Sequence, residues 1–159
     1  MAIRNIRMND DPCLRVVCRP VDKFDDRLAQ LLDDMYDTMK QAEGAGIAAP
    51  QVGIRRRAVV IDVGDGPIEL VNPVFTLQEG TQECVEGCLS FPGRWAQTKR
   101  PQHVKIRAQK RDGSTFELDA EGFLAQACCH ELDHLDGVVF LSRAERMLTP
   151  EDLEKMKHA

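Results

Sequence analysis

The stretch GFLAQACCHELDHLDG, residues 122–137, decides how this chain is read. Phe123, Leu124, Ala125, Ala127, Cys128 and Cys129 crowd its first half, and no glycine or proline interrupts it between Gly122 and Gly137. That composition predicts a buried helix beginning near Glu121. Within it His130 and His134 stand four apart. Each helical residue turns by roughly 100°, so the two imidazoles share a face and can hold one metal ion. Glu131 lies off that axis, within reach of a water on the ion. This is an arrangement for hydrolysis, in which the metal polarises a carbonyl and acidifies a water while the glutamate moves the proton. The alternative is a chance match on a charged surface helix. The apolar flank argues against it, because buried histidines and a buried acid need partners, which a metal supplies.

A hydrolytic site of this kind has three protein ligands and one open position. Downstream of His134 the candidates are Glu145, Glu151, Asp152, Glu154 and His158; the first is too near the helix to fold back easily, and the others lie in a polar tail. Upstream lies ECVEGCLSFPG, residues 83–93, where Cys88 sits in a turn-like EGCLS before a proline. A thiolate there could face the helix and complete the set. A closed structural site drawing on Cys84, Cys88, Cys128 and Cys129 is the alternative, but it leaves Glu131 without a role. A buried free thiol is the simplest reading of Cys13, Cys18, Cys84, Cys128 and Cys129. A further unusual stretch is GAGIAAPQ, residues 44–51. Its two glycines allow backbone to approach a ligand closely, and the Gln51 amide can donate to a developing oxyanion.

The rest of the chain supplies the frame. Residues 25–42 place Leu28, Leu31, Leu32, Met35 and Met39 at helical spacing, with Asp22 or Asp25 as N-cap and Gly44 near the end. AVVIDV (58–63) reads as a buried strand, and IELVNPVF (68–75) as a second, interrupted near Pro73. HVKIRAQKRDGSTFEL (103–118) is a hairpin turning at Asp112-Gly113. Thr149, Pro150 and Asp152 start a short terminal helix. The expected fold class is α+β: mostly antiparallel sheets around a central helix bearing HExxH, with a long N-terminal and a short C-terminal helix, in a single domain over 1–159.

The totals narrow the function classes. The chain has 159 residues, a formal net charge of −5 and 30% charged residues. No basic stripe appears in the sequence, so no nucleic-acid binding of its own is expected. The arginines and lysines at 55–57 and 110–111 read as solvated loop charges. No apolar run approaches a membrane span, and MAIRNIRMNDDP offers no signal core. Six cysteines in such a chain point to a reducing compartment.

GAGIAAPQ, EGCLS and HELDH, in that order, resemble the three motifs of the peptide deformylases, and the similarity runs from AIRNI near the start through HLDGVVF (134–140). The resemblance implies removal of the formyl group from N-formylmethionyl ends of newly made polypeptides, with release of formate. It implies Fe(II), replaceable by Ni, Co or Zn, held by Cys88, His130 and His134. It makes Glu131 the general base and then the acid toward the leaving amine. Gln51 and the backbone N–H of Leu89 would hold the formyl oxygen, and Gly44, Ala45 and Gly46 would lie along the substrate. Ala45 and Ile47 depart from the family's usual aliphatics. Cys129 stands where many members carry glutamine, and Glu86 needs a basic partner, for which Arg100 is the candidate. The implied partner is the nascent peptide, with the ribosome surface a candidate second one; Lys155 and Lys157 read as a solvated helix face. The implied location is the bacterial cytoplasm, with an organelle or phage origin as the alternative. Two rival readings remain: a zinc endopeptidase that would not need Cys88, and a closed metal-stapled binding module.

Overall fold

The computed structural model describes residues 2–157; His158 lies outside the described residues. Among the described residues eight strands form two antiparallel sheets, accompanied by three α-helices. The larger has the order β1-β2-β3-β6-β7, from Gly46–Ala48, Ala58–Ile61, Ile68–Glu79, His103–Gln109 and Thr115–Glu121. The smaller has the order β4-β5-β8, from Gln82–Cys88, Phe91–Arg100 and Arg146–Leu148. The helices are α1 (Asp26–Gln41), α2 (Gly122–Leu135) and α3 (Pro150–Lys157).

The larger sheet is covered on both faces, which explains why AVVI is apolar without alternation. Val59 and Ile61 pack with Leu70, Ile106, Cys128, Leu132 and Leu135 beneath α2. Ala58 and Val60 point the other way, into Leu32, Met35 and Met39 of α1. Asp25 caps α1, its carboxylate accepting from Leu28 N–H at 3.2 Å. The cap at the other end is Ala42, so Gly44 lies just beyond the helix. The strand expected at 68–75 continues to Glu79. Its irregularity near Pro73 appears as a register shift against β6 between Val71 and Val74, with Asn72 at φ 51°. Asn72 is held there by bonds to the backbone of Val21 at 2.8 Å each way. At the C-terminal end, Thr149 and Asp152 cap each other reciprocally at 2.9 and 3.1 Å.

Two contacts lock α2 in place. Gly137, just past the helix, has φ 73°, and a Cβ there would meet the Arg15 carbonyl carbon at 2.8 Å. Only glycine lets the chain leave the helix against that backbone. The second contact is ionic. Arg100 on β5 grips Glu86 on β4 through two bonds of 2.7 Å, and reaches Asp133 on α2 at 2.7 Å. The Thr98 hydroxyl also donates to Glu86. This network ties the smaller sheet to α2, and Arg100 is indeed the partner Glu86 requires.

Burial alone would raise the Glu86 carboxyl, but the bonds from Arg100 and His130 outweigh it and bring its pKa down to about 2. A carboxyl depressed in the folded state stabilises fully above its unfolded value and loses that contribution as pH falls through its folded value. The shift from 4.5 to about 2 corresponds to about 3 kcal/mol. Urea unfolding of the chain is therefore expected to lose about that much more stability than Glu86→Gln does between about pH 5 and pH 2. Parallel pH curves for the two proteins would contradict this.

Candidate metal centre

Three elements meet at one point. Cys88 ends β4, where the hairpin turns through Leu89 and Ser90 into β5. His130 and His134 come from α2, one turn apart, with ring centroids 5.0 Å apart. One ligand atom from each of Cys88, His130 and His134 lies within 4.8 Å of the others. No other group of three or more possible ligands was found among the described residues. Cys88 Sγ and His134 Nε2 are 3.4 Å apart. A tetrahedral ion with Zn–S of about 2.3 Å and Zn–N of about 2.0 Å would place such atoms about 3.5 Å apart.

The candidate ligands are oriented from behind. Glu86 Oε1 lies 2.8 Å from His130 Nδ1, which leaves Nε2 free to face the centre. A carboxylate behind a ligating imidazole fixes its tautomer and raises its basicity. Burial opposes charge on His130, yet Glu131, Cys88 and Glu86 outweigh it and raise its pKa. The pocket thus calls for a positive charge, which a divalent ion would supply. Burial and the His130 charge lower His134 in turn. The sulfur-and-imidazole donor set suits iron, zinc or cobalt better than calcium or magnesium. On these grounds the residues fit a transition-metal ion.

The acid and the amide sit beside the three candidate ligands. Glu131 is buried, its Oε1 lacks a hydrogen-bond partner, and burial pushes its carboxyl up to about 7. Its other oxygen lies against Gly46, where a Cβ would come within 2.6 Å. Gly46 is therefore required by Glu131 itself, as well as being placed beside the cleft. Gly44 makes similar room for the Leu89 side chain, at 2.7 Å. Gln51 belongs to a 3-10 turn, Ala49–Val52, and its Oε1 accepts from Ala48 N–H at 2.9 Å. That bond sets the amide so that Nε2 faces Cys88 Sγ at 3.6 Å and Ser90 Oγ at 3.1 Å. Ser90 is fully buried. The sequence signalled it only as the last letter of EGCLS, and nothing in its spacing foretold a bond to Gln51.

Apart from the fully buried His134 and Ser90, these groups border one cleft of about 550 Å³. Gly44, Ala45, Gly46, Gln51, Cys88 and Leu89 line it, as do His130 and Glu131. Val85, Trp95 and Phe123 add partly exposed apolar surface. The other cysteines stay out of the centre. Burial pushes the Cys84 thiol up to about 11 and those of Cys128 and Cys129 up to about 12. Among the described residues the one cluster of possible metal ligands takes Cys88 alone of the cysteines, which speaks against a multi-cysteine closed site.

Comparison with known proteins agrees with this geometry. The family model described as polypeptide deformylase matches residues 3–149. A peptide deformylase of Caldicellulosiruptor bescii is 54% identical over 157 residues, covering 99% of this chain and 95% of that one. The crystal structure of the Thermotoga maritima peptide deformylase superposes with a TM-score of 0.89 at 40% identity, covering 90% of this chain and 98% of that one. That of a Synechococcus elongatus peptide deformylase in complex with actinonin gives 0.87 at 37% identity, covering 96% and 82%. A match spanning nearly the whole sequence, joined to an α+β fold shared with solved members, places this chain in the polypeptide deformylase family.

Proposed function

We infer that this chain hydrolyses the N-formyl group of formylmethionyl ends on newly made polypeptides, releasing formate and a free amine. The convergence of Cys88, His130 and His134 beside a buried Glu131 with an unpartnered oxygen carries this reading. The ion is Fe(II), with Ni, Co and Zn able to take its place. When bound, it would polarise the formyl carbonyl and acidify water. The chain acts as one catalytic domain over 1–159 in the bacterial cytoplasm. Among the described residues no helix is long and apolar enough to cross a membrane.

The protein's own groups divide the work. Glu131 takes a proton from the attacking water and later gives it to the departing nitrogen; its raised pKa of about 7 suits both halves of that transfer. The Gln51 amide and the Leu89 N–H donate to the formyl oxygen as charge gathers on it. Ser90 and Ala48 hold the Gln51 amide in register for that donation. β1 is an edge strand, so the side of it away from β2 is open to lie along a peptide, with Gly44 and Ala45 leading into it along the cleft. Ala45, Val85, Phe123 and Ala127 offer apolar surface for a methionine side chain. A formyl group is small enough to enter where bulkier amides are refused.

Glu131→Gln is expected to lower kcat on a formyl-Met peptide by about 10²–10⁴-fold while the iron content of the protein stays unchanged. Full activity, or loss of metal in step with activity, would contradict the assigned role. Ser90→Ala is expected to lower kcat by about two- to tenfold with KM nearly unchanged, the worth of one buried hydrogen bond to the oxyanion donor. An effect confined to stability, with kcat intact, would show that Ser90 does not position Gln51.

A further inference from the structure

The two groups assigned to the formyl oxygen come from different sheets. Gln51 follows β1 of the larger sheet, and Leu89 lies in the turn between β4 and β5 of the smaller one. No strand pairing joins the two sheets among the described residues. Arg100 ties the smaller sheet to α2, but that network does not reach Gln51. The start of the chain makes the missing tie.

Arg7 N–H donates to the Gln51 carbonyl at 2.7 Å, and Asn9 N–H donates to the Ser90 carbonyl at 2.9 Å. The side chains of the same two acceptors are bonded to each other, Gln51 Nε2 to Ser90 Oγ at 3.1 Å. Residues 7–9, Gln51 and Ser90 therefore close a ring of hydrogen bonds that crosses from one sheet to the other. Ile6 and Met8, between and beside the two donors, line the metal cleft.

This short segment is held at both ends. Upstream, Ala2 N–H donates to Asp34 at 2.8 Å and Arg4 N–H to Thr38 Oγ1 at 2.9 Å, both on α1. Downstream, Asn9 has φ 50°, and Asp11 N–H returns to the Met8 carbonyl at 3.0 Å, so the chain turns at once. It then enters a 3-10 turn, Pro12–Arg15, that packs on the turn bearing Gln51. Leu14 of that turn is fully buried with Phe91 and Phe140. Gln51 and Ser90 are themselves buried, so their carbonyls need donors in any case. That need leaves unexplained why one segment serves both, across the gap between two sheets.

We propose that residues 7–9 are a positioning strap for the oxyanion donors, fixing the Gln51 amide relative to the Leu89 N–H. This rests on the deformylase reading of the centre. A donor works only if it is in place before charge develops, and a misplacement of about 1 Å can cost about 10²-fold in rate. The strap touches neither the candidate ligands nor Glu131 through any hydrogen bond among the described residues. Its effect therefore passes through Gln51 and the 88–91 turn.

The test compares Arg7→Pro, which deletes the donating N–H, with Arg7→Ala, which removes the same side chain and keeps it. On a formyl-Met peptide, Arg7→Pro is expected about tenfold below Arg7→Ala in kcat with KM nearly equal, part of the about 10²–10³-fold that an oxyanion donor is worth. In a Gln51→Ala background that difference should shrink to less than about twofold, because the strap then has no amide to place. Equal kcat for the two Arg7 variants, or a difference that persists undiminished without the Gln51 amide, would overturn the proposal. Should Arg7→Pro not fold, Asn9→Val against Asn9→Gly serves. A β-branched residue resists φ 50° whereas glycine accepts it, and Asn9→Val should be about two- to fivefold lower in kcat. Nitrogen-15 NMR of the Gln51 side-chain amide in the zinc-loaded chain gives a readout apart from activity. Its signal should shift and exchange faster with solvent in Arg7→Pro than in Arg7→Ala; identical signals would also overturn the proposal. Absence of formate release by the wild type would count against the deformylase reading, and the amide signal would then decide the strap by itself.

Discussion

The buried carboxylate of Glu86 is the constraint on which the rest of the centre depends. It comes from the smaller sheet, two residues before Cys88, and lies against His130 on α2. Arg100 holds it from one side and spans to Asp133, so sheet and helix share one charge network. Burying an anion is costly unless it is paired and fully bonded. Here three positive or donating partners, Arg100, Thr98 and His130, answer it. The same contacts that make the burial tolerable fix the distance between the sulfur and the imidazoles. Stability and ligand geometry are thus one problem with one solution.

The second constraint is space. Glu131 is placed by helix periodicity, but its position is usable only because Gly46 has no side chain. The glycine-rich stretch therefore serves the acid as well as the cleft wall. Gln51 is likewise oriented by a short turn whose Ala48 N–H occupies its carbonyl oxygen. The groups proposed to act at this centre are thus fixed dipoles, each held by a neighbour outside the proposed chemistry. Such preorganisation is what makes a donor effective when charge develops.

Much of this was legible in the sequence. Apolar periodicity over 25–42 and apolar density over 122–135 correspond to α1 and α2, and the Asp112-Gly113 turn joins β6 to β7. Antiparallel pairing followed from the hairpin signals. The pairing of β4 with β5 was not legible as such, because Gly87, Pro92 and Gly93 break the alternation that marks a strand. β8 was missed because three residues carry no period. At the centre, residue types and order pointed to Cys88, His130, Glu131 and His134. Ser90 was invisible because a hydroxyl acquires a role only from what it touches.

The central claim is that one sulfur and two imidazoles share a single ion with a vertex left open. X-ray absorption at the metal edge of the zinc-loaded chain tests it most directly. The account predicts one sulfur at about 2.3 Å and three nitrogen or oxygen neighbours at about 2.0–2.1 Å, the third of these from solvent. A shell without sulfur, or with two or more sulfurs, would contradict it.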